Sequence, residues 1–409
     1  MKKIIIFAAV VFGVGLAACS DDNGGGSDSN EPVRISLNGP EKRVSRAAQD
    51  LAVRTFAEIY DDDVNVAFSP LSAQIALAMA ANGATEETLE EMLEQLCSGG
   101  DVEHLNSLYG KLCAGLPLLD AKSTVDIANS FWHSDGFEVL PSFCMSLSEN
   151  YTAPTASYDI SSPAAAAELV NKWIEKSTKG KISNIIGAND VKAYMIVNAL
   201  YFKSQWCEKF DKDKTRPDKF TNSDGSVSDV QFMNGVVEDT YMEIDGIELA
   251  DLHFGNKAYY FTVIKPEENQ SPCEALKKAM TLISTPGYIP EVGGRYSIHV
   301  KMPKFSVRYK TDLKDAFLRL GFESVFDPSA ARMDKLSPQG AYIAKVLHEC
   351  RVDVDEDGAE AIASTVVIGG DLSLGIGGEA YITLDRPFAY MIRESSTGTI
   401  LFMGAVNRL

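Results

Sequence analysis

Residues 357–379 read Asp-Gly-Ala-Glu-Ala-Ile-Ala-Ser-Thr-Val-Val-Ile-Gly-Gly-Asp-Leu-Ser-Leu-Gly-Ile-Gly-Gly-Glu. The stretch holds six Gly and no aromatic, Lys, Arg or Pro. Strand-like runs flank it at 341–354 and 380–392. A connection of this length without structure of its own, inside a compact domain, is functional or disordered. Its first half has a second reading. A strand alternates its side chains between two faces. Counted from Gly358, one face carries Ala359, Ala361, Ala363 and Thr365, and the other Glu360, Ile362, Ser364 and Val366. The first face is small throughout and enters a packed sheet without overfilling it. Val366-Val367-Ile368 favours strand, and no Pro blocks a ladder hydrogen bond. Gly358 tolerates the backbone angles of a hinge. The segment is therefore expected to be a loop whose first half can also become a strand.

Working outward, apolar spacing predicts a helix over 44–60. Ser69-Pro70 is a helix start, a capping hydroxyl followed by Pro at the first position. The helix after it, Leu-Ser-Ala-Gln-Ile-Ala-Leu-Ala-Met-Ala-Ala over 71–81, is small or apolar on every side, so it is buried. Asn82-Gly83 ends it, and Thr85 caps another helix that reaches about Cys97. Further strand-like runs cover 123–133, 191–202, 259–265 and 296–305, with an amphipathic helix at 163–179. Strands and helices alternate without a long linker, which argues for one α+β domain over 37–409.

The amino terminus differs. Lys2 and Lys3 precede an apolar run from Ile4 to Leu16, the pattern of a secretion signal. Leu16-Ala17-Ala18-Cys19 resembles a bacterial lipobox, so residues 1–18 are expected to be removed and Cys19 lipidated. Residues 19–36 then form a flexible tether, rich in Gly, Ser, Asp and Asn, reaching roughly 20 Å. The chain would sit on the bacterial outer membrane, at the cell surface or on the periplasmic face, and touch the membrane only through its lipid.

The chain of 409 residues has a formal net charge of −19. This disfavours nucleic acid and other polyanions as partners, because phosphate binding needs a basic face. Beyond Cys19, the six cysteines at 97, 113, 144, 207, 273 and 350 show no metal-ligand spacing and are expected to be mostly buried small hydrophobes. No metal and no cofactor is implied. The five histidines include no HExxH, and no Ser lies in GxSxG, so nothing points to an enzyme.

Several motifs together carry a resemblance. Asn65-Val-Ala-Phe-Ser-Pro-Leu-Ser72 with Asn82-Gly-Ala84, Asn171-Lys-Trp173 with Thr178-Lys-Gly-Lys-Ile182, and Val197-Asn-Ala-Leu-Tyr-Phe-Lys203 with Trp206 appear in order. Met302-Pro-Lys-Phe305, Leu320-Gly-Phe-Glu-Ser-Val-Phe326, Glu356-Asp-Gly-Ala-Glu-Ala361, Arg386-Pro-Phe388 and Phe402-Met-Gly404 follow. The chain resembles the serpins, the serine protease inhibitor superfamily.

The resemblance implies three β-sheets, eight or nine helices and an exposed reactive-centre loop, here 357–379. It implies a monomer that traps its target protease as a covalent acyl-enzyme by inserting the cut loop into the main sheet. The hinge would be Glu356, Gly358, Ala359, Glu360, Ala361, Ala363 and Thr365. Ser69, Ser72, Asn198 and His348 would form a polar shutter under the opening strands, Trp206 and Lys304 would belong to the breach beside it, and Lys304 would fix the loop's base by pairing with Glu356. The family's scissile bond lies 14 residues beyond the hinge Gly, at Leu372–Ser373, with Leu374–Gly375 as the rival. A Leu at that bond suits chymotrypsin-like or elastase-like proteases. The alternatives are trapping of papain-like cysteine proteases and a non-inhibitory serpin serving as a surface binding protein.

Overall fold

A computed structural model of the chain describes residues 32–180, 182–284, 294–359 and 378–409, and residues 32–409 cluster as one unit. Among the described residues there are eight α-helices: α1 Gly39–Ile59, α2 Pro70–Ala81, α3 Glu86–Cys97, α4 Val102–Gly115, α5 Pro141–Tyr151, α6 Pro163–Ser177, α7 Pro272–Ser284 and α8 Lys314–Arg319. The strands up to residue 265 are β1 Val66–Phe68, β2 Thr124–Ser134, β3 Thr155–Tyr158, β4 Tyr194–Gln205, β5 Arg216–Thr221, β6 Val227–Ile244, β7 Ile247–Phe254 and β8 Tyr259–Lys265. The remainder are β9 Gly294–Pro303, β10 Phe305–Asp312, β11 Leu347–Asp355, β12 Gly358–Ala359, β13 Glu379–Thr383, β14 Phe388–Glu394 and β15 Ile400–Val406.

These strands make two hydrogen-bonded sheets. One has six strands in the order β10-β11-β12-β4-β2-β3. The other has nine, β1-β15-β14-β8-β7-β6-β9-β13, with β5 beside β6. The long β6 pairs with β9 over Phe232–Tyr241 and with β7 over Tyr241–Ile244, so it joins two of the three expected sheets into one path. β14 and β15 are buried at every position, the run expected of a strand covered on both faces.

α2 lies between the sheets, packed on β4 and β15. Ser69 caps it, accepting from the Ser72 N–H, with Pro70 at the first position. Ala76 is its one position short of full burial. The helix stops at Asn82 in an ordinary right-handed conformation, and Gly83 has no positive φ. α6 crosses the outer face of the six-stranded sheet. Its Val170 and Ile174 pack with Trp132, Met195 and Val197.

Several sequence boundaries need correction. α1 begins at Gly39, where Asn38 and Glu41 form a reciprocal capping box. Thr85 precedes α3 but makes no cap. Its hydroxyl donates to Asp334 at 2.9 Å instead. The run 296–305 is two strands parted at Lys304. The run 380–392 is also two, separated at 384–387, where Pro387 offers no ladder donor. Within 341–354 only the part from Leu347 is strand. The six cysteines beyond Cys19 are free. Cys97, Cys273 and Cys350 are buried, but Cys113 and Cys144 are intermediate and Cys207 is exposed.

Candidate functional site

The site is built where β11 turns back on itself. Glu356 and Asp357 form the turn, and Gly358-Ala359 starts antiparallel to β11. This two-residue strand also pairs with β4, Gly358 with Gln205 and Ala359 with Ser204. The base of the long segment thus already lies inside the six-stranded sheet. Gly358 has φ +152° and packs on backbone: a Cβ there would stand 2.1 Å from the Ser204 carbonyl oxygen. No other residue fits.

Polar contacts fix the turn. The Glu356 carboxylate is 5% exposed, pairs with Lys304 Nζ at 2.7 Å and accepts from Thr215 Oγ1 at 2.8 Å. Burial pushes its pKa up, but Lys304 and Thr215 outweigh burial and hold it below the ordinary carboxyl value. Asp357 pairs with Lys212 at 2.6 Å and with Lys209 at 3.5 Å. Trp206 Nε1 donates to the Asp355 carbonyl at 2.8 Å, while its ring stacks on Phe254 at 4.5 Å. An aromatic plate therefore holds the end of β11 next to the end of β4.

Below Ala359, β4 and β11 flank two cavities. One of about 280 Å³ is lined by Leu200, Phe202, Cys350, Val352 and Ala359. The next, of about 260 Å³, is lined by Ser72, Val197, Asn198, Leu347 and His348. Among the described residues, β12 is the only strand hydrogen-bonded to both β4 and β11.

The four polar residues expected under these strands come together. The Ser69 N–H donates to His348 Nε2 at 3.1 Å, and Ser69 Oγ donates to the Leu401 carbonyl at 2.7 Å. Ser72 Oγ donates to Asn198 Oδ1. Asn198 Nδ2 donates to Asn129 Oδ1 at 2.5 Å, and Asn129 Nδ2 to the Tyr151 carbonyl at 2.9 Å. The start of α2 is thereby bonded to β4 on one side of the cavities and to β11 on the other. His348 accepts at Nε2, so its ring is neutral, and burial pushes its pKa down to about 4. Cys350 Sγ lies 3.2 Å from the same nitrogen.

Sequence reasoning missed Asn129, Thr215 and the Asp357–Lys212 pair. Asn129 had one available signal: it sits mid-strand opposite Asn198 in the β2–β4 register, an apolar position occupied by an amide. Glu360, Ala361, Ala363, Thr365, Leu372, Ser373, Leu374 and Cys19 lie outside the described residues.

A family model described as serpin (serine protease inhibitor) matches residues 46–409. The chain belongs to the serpin family. Among curated relatives, Serpin-Z1A of Triticum aestivum is 30% identical over 360 residues, covering 84% of this chain and 89% of its own length. The leukocyte elastase inhibitor of Bos taurus is 28% identical over 378 residues, covering 90% of this chain and 99% of its own. The native-state structure of the thermophilic serpin Tengpin superposes with a TM-score of 0.80 at 28% identity, over 92% of this chain and 96% of that one. The α+β serpin fold is the fold of this chain, and serpins as a family are inhibitors of serine proteases rather than enzymes.

Proposed function

We propose that this serpin is an irreversible suicide-substrate inhibitor of chymotrypsin-like or elastase-like serine proteases, acting through the bond Leu372–Ser373. The protease serine attacks the Leu372 carbonyl carbon. The bond to the Ser373 nitrogen breaks, and the freed amine takes up the proton. An ester links the two proteins, and water would normally release it. The cut end then enters the six-stranded sheet and carries the protease away before water attacks.

The observation that carries this reading is the seating of Gly358 and Ala359 between β11 and β4. Extending their register places Ala361 opposite Val352 and Phe202, Ala363 opposite Cys350 and Leu200, and Thr365 opposite His348 and Asn198. All but Asn198 of these sheet partners are buried. The small face of the segment then meets the core, and the Thr365 hydroxyl meets the polar cluster. Each backbone hydrogen bond gained contributes about 0.5–1.5 kcal/mol, so many together supply a strong pull.

On this reading the chain acts as a monomer whose partner is the protease. Residues 1–18 are a lipoprotein signal, residues 19–36 a tether from lipidated Cys19, and 37–409 the serpin domain at the outer membrane.

The test incubates the full chain with chymotrypsin, pancreatic elastase and papain and resolves the products on denaturing gels. A covalent band at the summed mass, with the new amine end at Ser373, supports the trap and its register. A new end at Gly375 moves the bond to Leu374. Cleavage without a covalent band by all three proteases overturns the inhibitory reading.

A further inference from the structure

We propose that Asp120 is a positioning residue for the trap: through Ser123 and Gly255 it holds Ser204 and Gln205, the two β4 residues that receive the base of the loop segment. The proposal rests on the inhibitory reading above where it concerns trapping, and its effect on the seating of β12 stands apart from that reading. Gly358 pairs with Gln205 and Ala359 with Ser204. Strand addition continues from these two pairs. The position of the end of β4 therefore decides whether the rest of the segment enters in register.

Two routes lead from these β4 residues to one buried carboxylate. On the first, Ser204 Oγ lies 2.6 Å from Ser123 Oγ, and Ser123 Oγ donates to Asp120 Oδ2 at 2.6 Å. A carboxylate only accepts, so the Ser123 proton is committed to Asp120. Ser123 Oγ must then accept from Ser204, which fixes the direction of both bonds. Ser204 is fully buried and Asp120 is 5% exposed, so solvent does not compete at either end. A hydroxyl this close to a carboxylate makes a charge-assisted bond, stronger than one between neutral groups.

On the second route, the Gln205 carbonyl accepts from the Gly255 N–H at 2.9 Å. Gly255 has φ +49°, and a Cβ there would stand 1.8 Å from Asp120 Oδ2. The Asn256 N–H donates to the same oxygen at 3.4 Å, and Asn256 Nδ2 donates to the Leu119 carbonyl at 2.9 Å. The strand leading into this turn ends in Phe254, the ring stacked on Trp206. The Lys122 N–H supplies Asp120 Oδ1 at 2.9 Å. Asp120 is thus the common support of the turn before β2, the β7–β8 turn and the end of β4, and it acts on the loop base through them.

The consequence is kinetic. After the cut, insertion races the attack of water on the ester. A β4 end that is free to shift slows insertion, and more protease then escapes from a chain that is cut but not bound. The network is therefore read in the partition between cleaved and trapped chain, and not in the urea midpoint alone.

The test compares Ser123→Val with Ser123→Thr in the full chain. The two side chains share a shape, and only Thr keeps the hydroxyl. Hydrogen-exchange mass spectrometry on the uncut chain reads the seating of β12. Exchange over Val354–Ala359 is expected to rise about ten-fold in Ser123→Val and to stay at the wild-type rate in Ser123→Thr. Equal exchange in the two variants overturns the proposal. So does an equal rise over Asn129–Phe131, in the middle of β2, because that is a general loosening of the sheet. Ser204→Ala removes the same bond from its other end and should give the same shift if Ser123→Val does not fold; no shift there overturns the relay. Active chymotrypsin then reads trapping. The ratio of cleaved to covalently bound chain should rise about three-fold or more in Ser123→Val and return to the wild-type value in Ser123→Thr. An unchanged ratio in a chain whose exchange has risen overturns the role in trapping. A wild-type chain that forms no covalent band loses the inhibitory reading, while raised exchange in Ser123→Val still upholds Asp120 as the support of β12.

Discussion

The α-carbon of Gly358 rests on the backbone of Ser204, so closely that a methyl group there would overlap the Ser204 carbonyl oxygen. Gly358→Ala must either push β4 aside or withdraw β12 from the sheet. The expected cost is roughly 1–3 kcal/mol of native stability, measured by urea unfolding. Withdrawal also bares the turn at Glu356–Gly358, so limited proteolysis there should accelerate. An unchanged urea midpoint would show that β12 is not seated in solution.

His348 makes stability depend on pH. Its folded pKa of about 4 lies below the ordinary imidazole value of 6.5, so the unfolded chain binds its proton first. The sign follows: its contribution is fully present above pH 6.5 and is lost as pH falls towards about 4. The total is roughly 3 kcal/mol for this buried group. Glu356 acts lower on the scale. With its folded pKa depressed, its contribution is present above the ordinary carboxyl value and lost as pH falls through the folded one. Urea midpoints from pH 8 to 4 should decline in the wild type and stay nearly level in His348→Gln. Parallel curves would place the acid sensitivity elsewhere.

Ala361→Arg tests insertion apart from folding. In the extended register this position meets buried Phe202 and Val352. A guanidinium there has no partner and costs several kcal/mol on insertion. In the uncut chain the change should move stability by less than about 0.5 kcal/mol. Cleavage by chymotrypsin should proceed while the covalent band disappears. A full-strength band from the variant would rule out this register.

Leu372→Arg should redirect the bait. Complex formation with chymotrypsin is expected to fall at least about ten-fold while trypsin becomes a target, because Arg fits the acidic pocket and Leu the apolar one. Rates measured with both proteases check this. An unchanged spectrum would move the bond to Leu374.

The sequence was most legible where one residue acts through its own chemistry. Ser69-Pro70 announced α2 because a capping hydroxyl and a ring-locked φ are local facts. The strand over 259–265 agrees with β8 at both ends. Gly358 was legible as a backbone position that favours glycine, although nothing in the chain names Ser204 as the backbone it lies against. Legibility failed where distant segments decide. Thr85 looks like a cap until Asp334, 249 residues away, takes its hydroxyl. Cys207 reads as a small hydrophobe, but its strand has already ended and the thiol is exposed. β5, β6 and β7 carry charges on faces whose exposure only the sheet order defines, so their pattern gives no strong period by itself.

The first turn of α2 ties three strands together. Ser69 and Ser72 hold β4 through Asn198, β11 through His348, and β15 through the Leu401 carbonyl. The helix behind them is buried at every position but Ala76, and the cavity beside Ser72, Ala76 and Leu77 is the room it has to shift into. It works as a keystone: neither wall of the opening can move outward without loading the third strand. Strain applied at the slot is therefore delivered to β15, in the other sheet, and a substitution near Leu401 should alter how readily the slot widens without touching either wall.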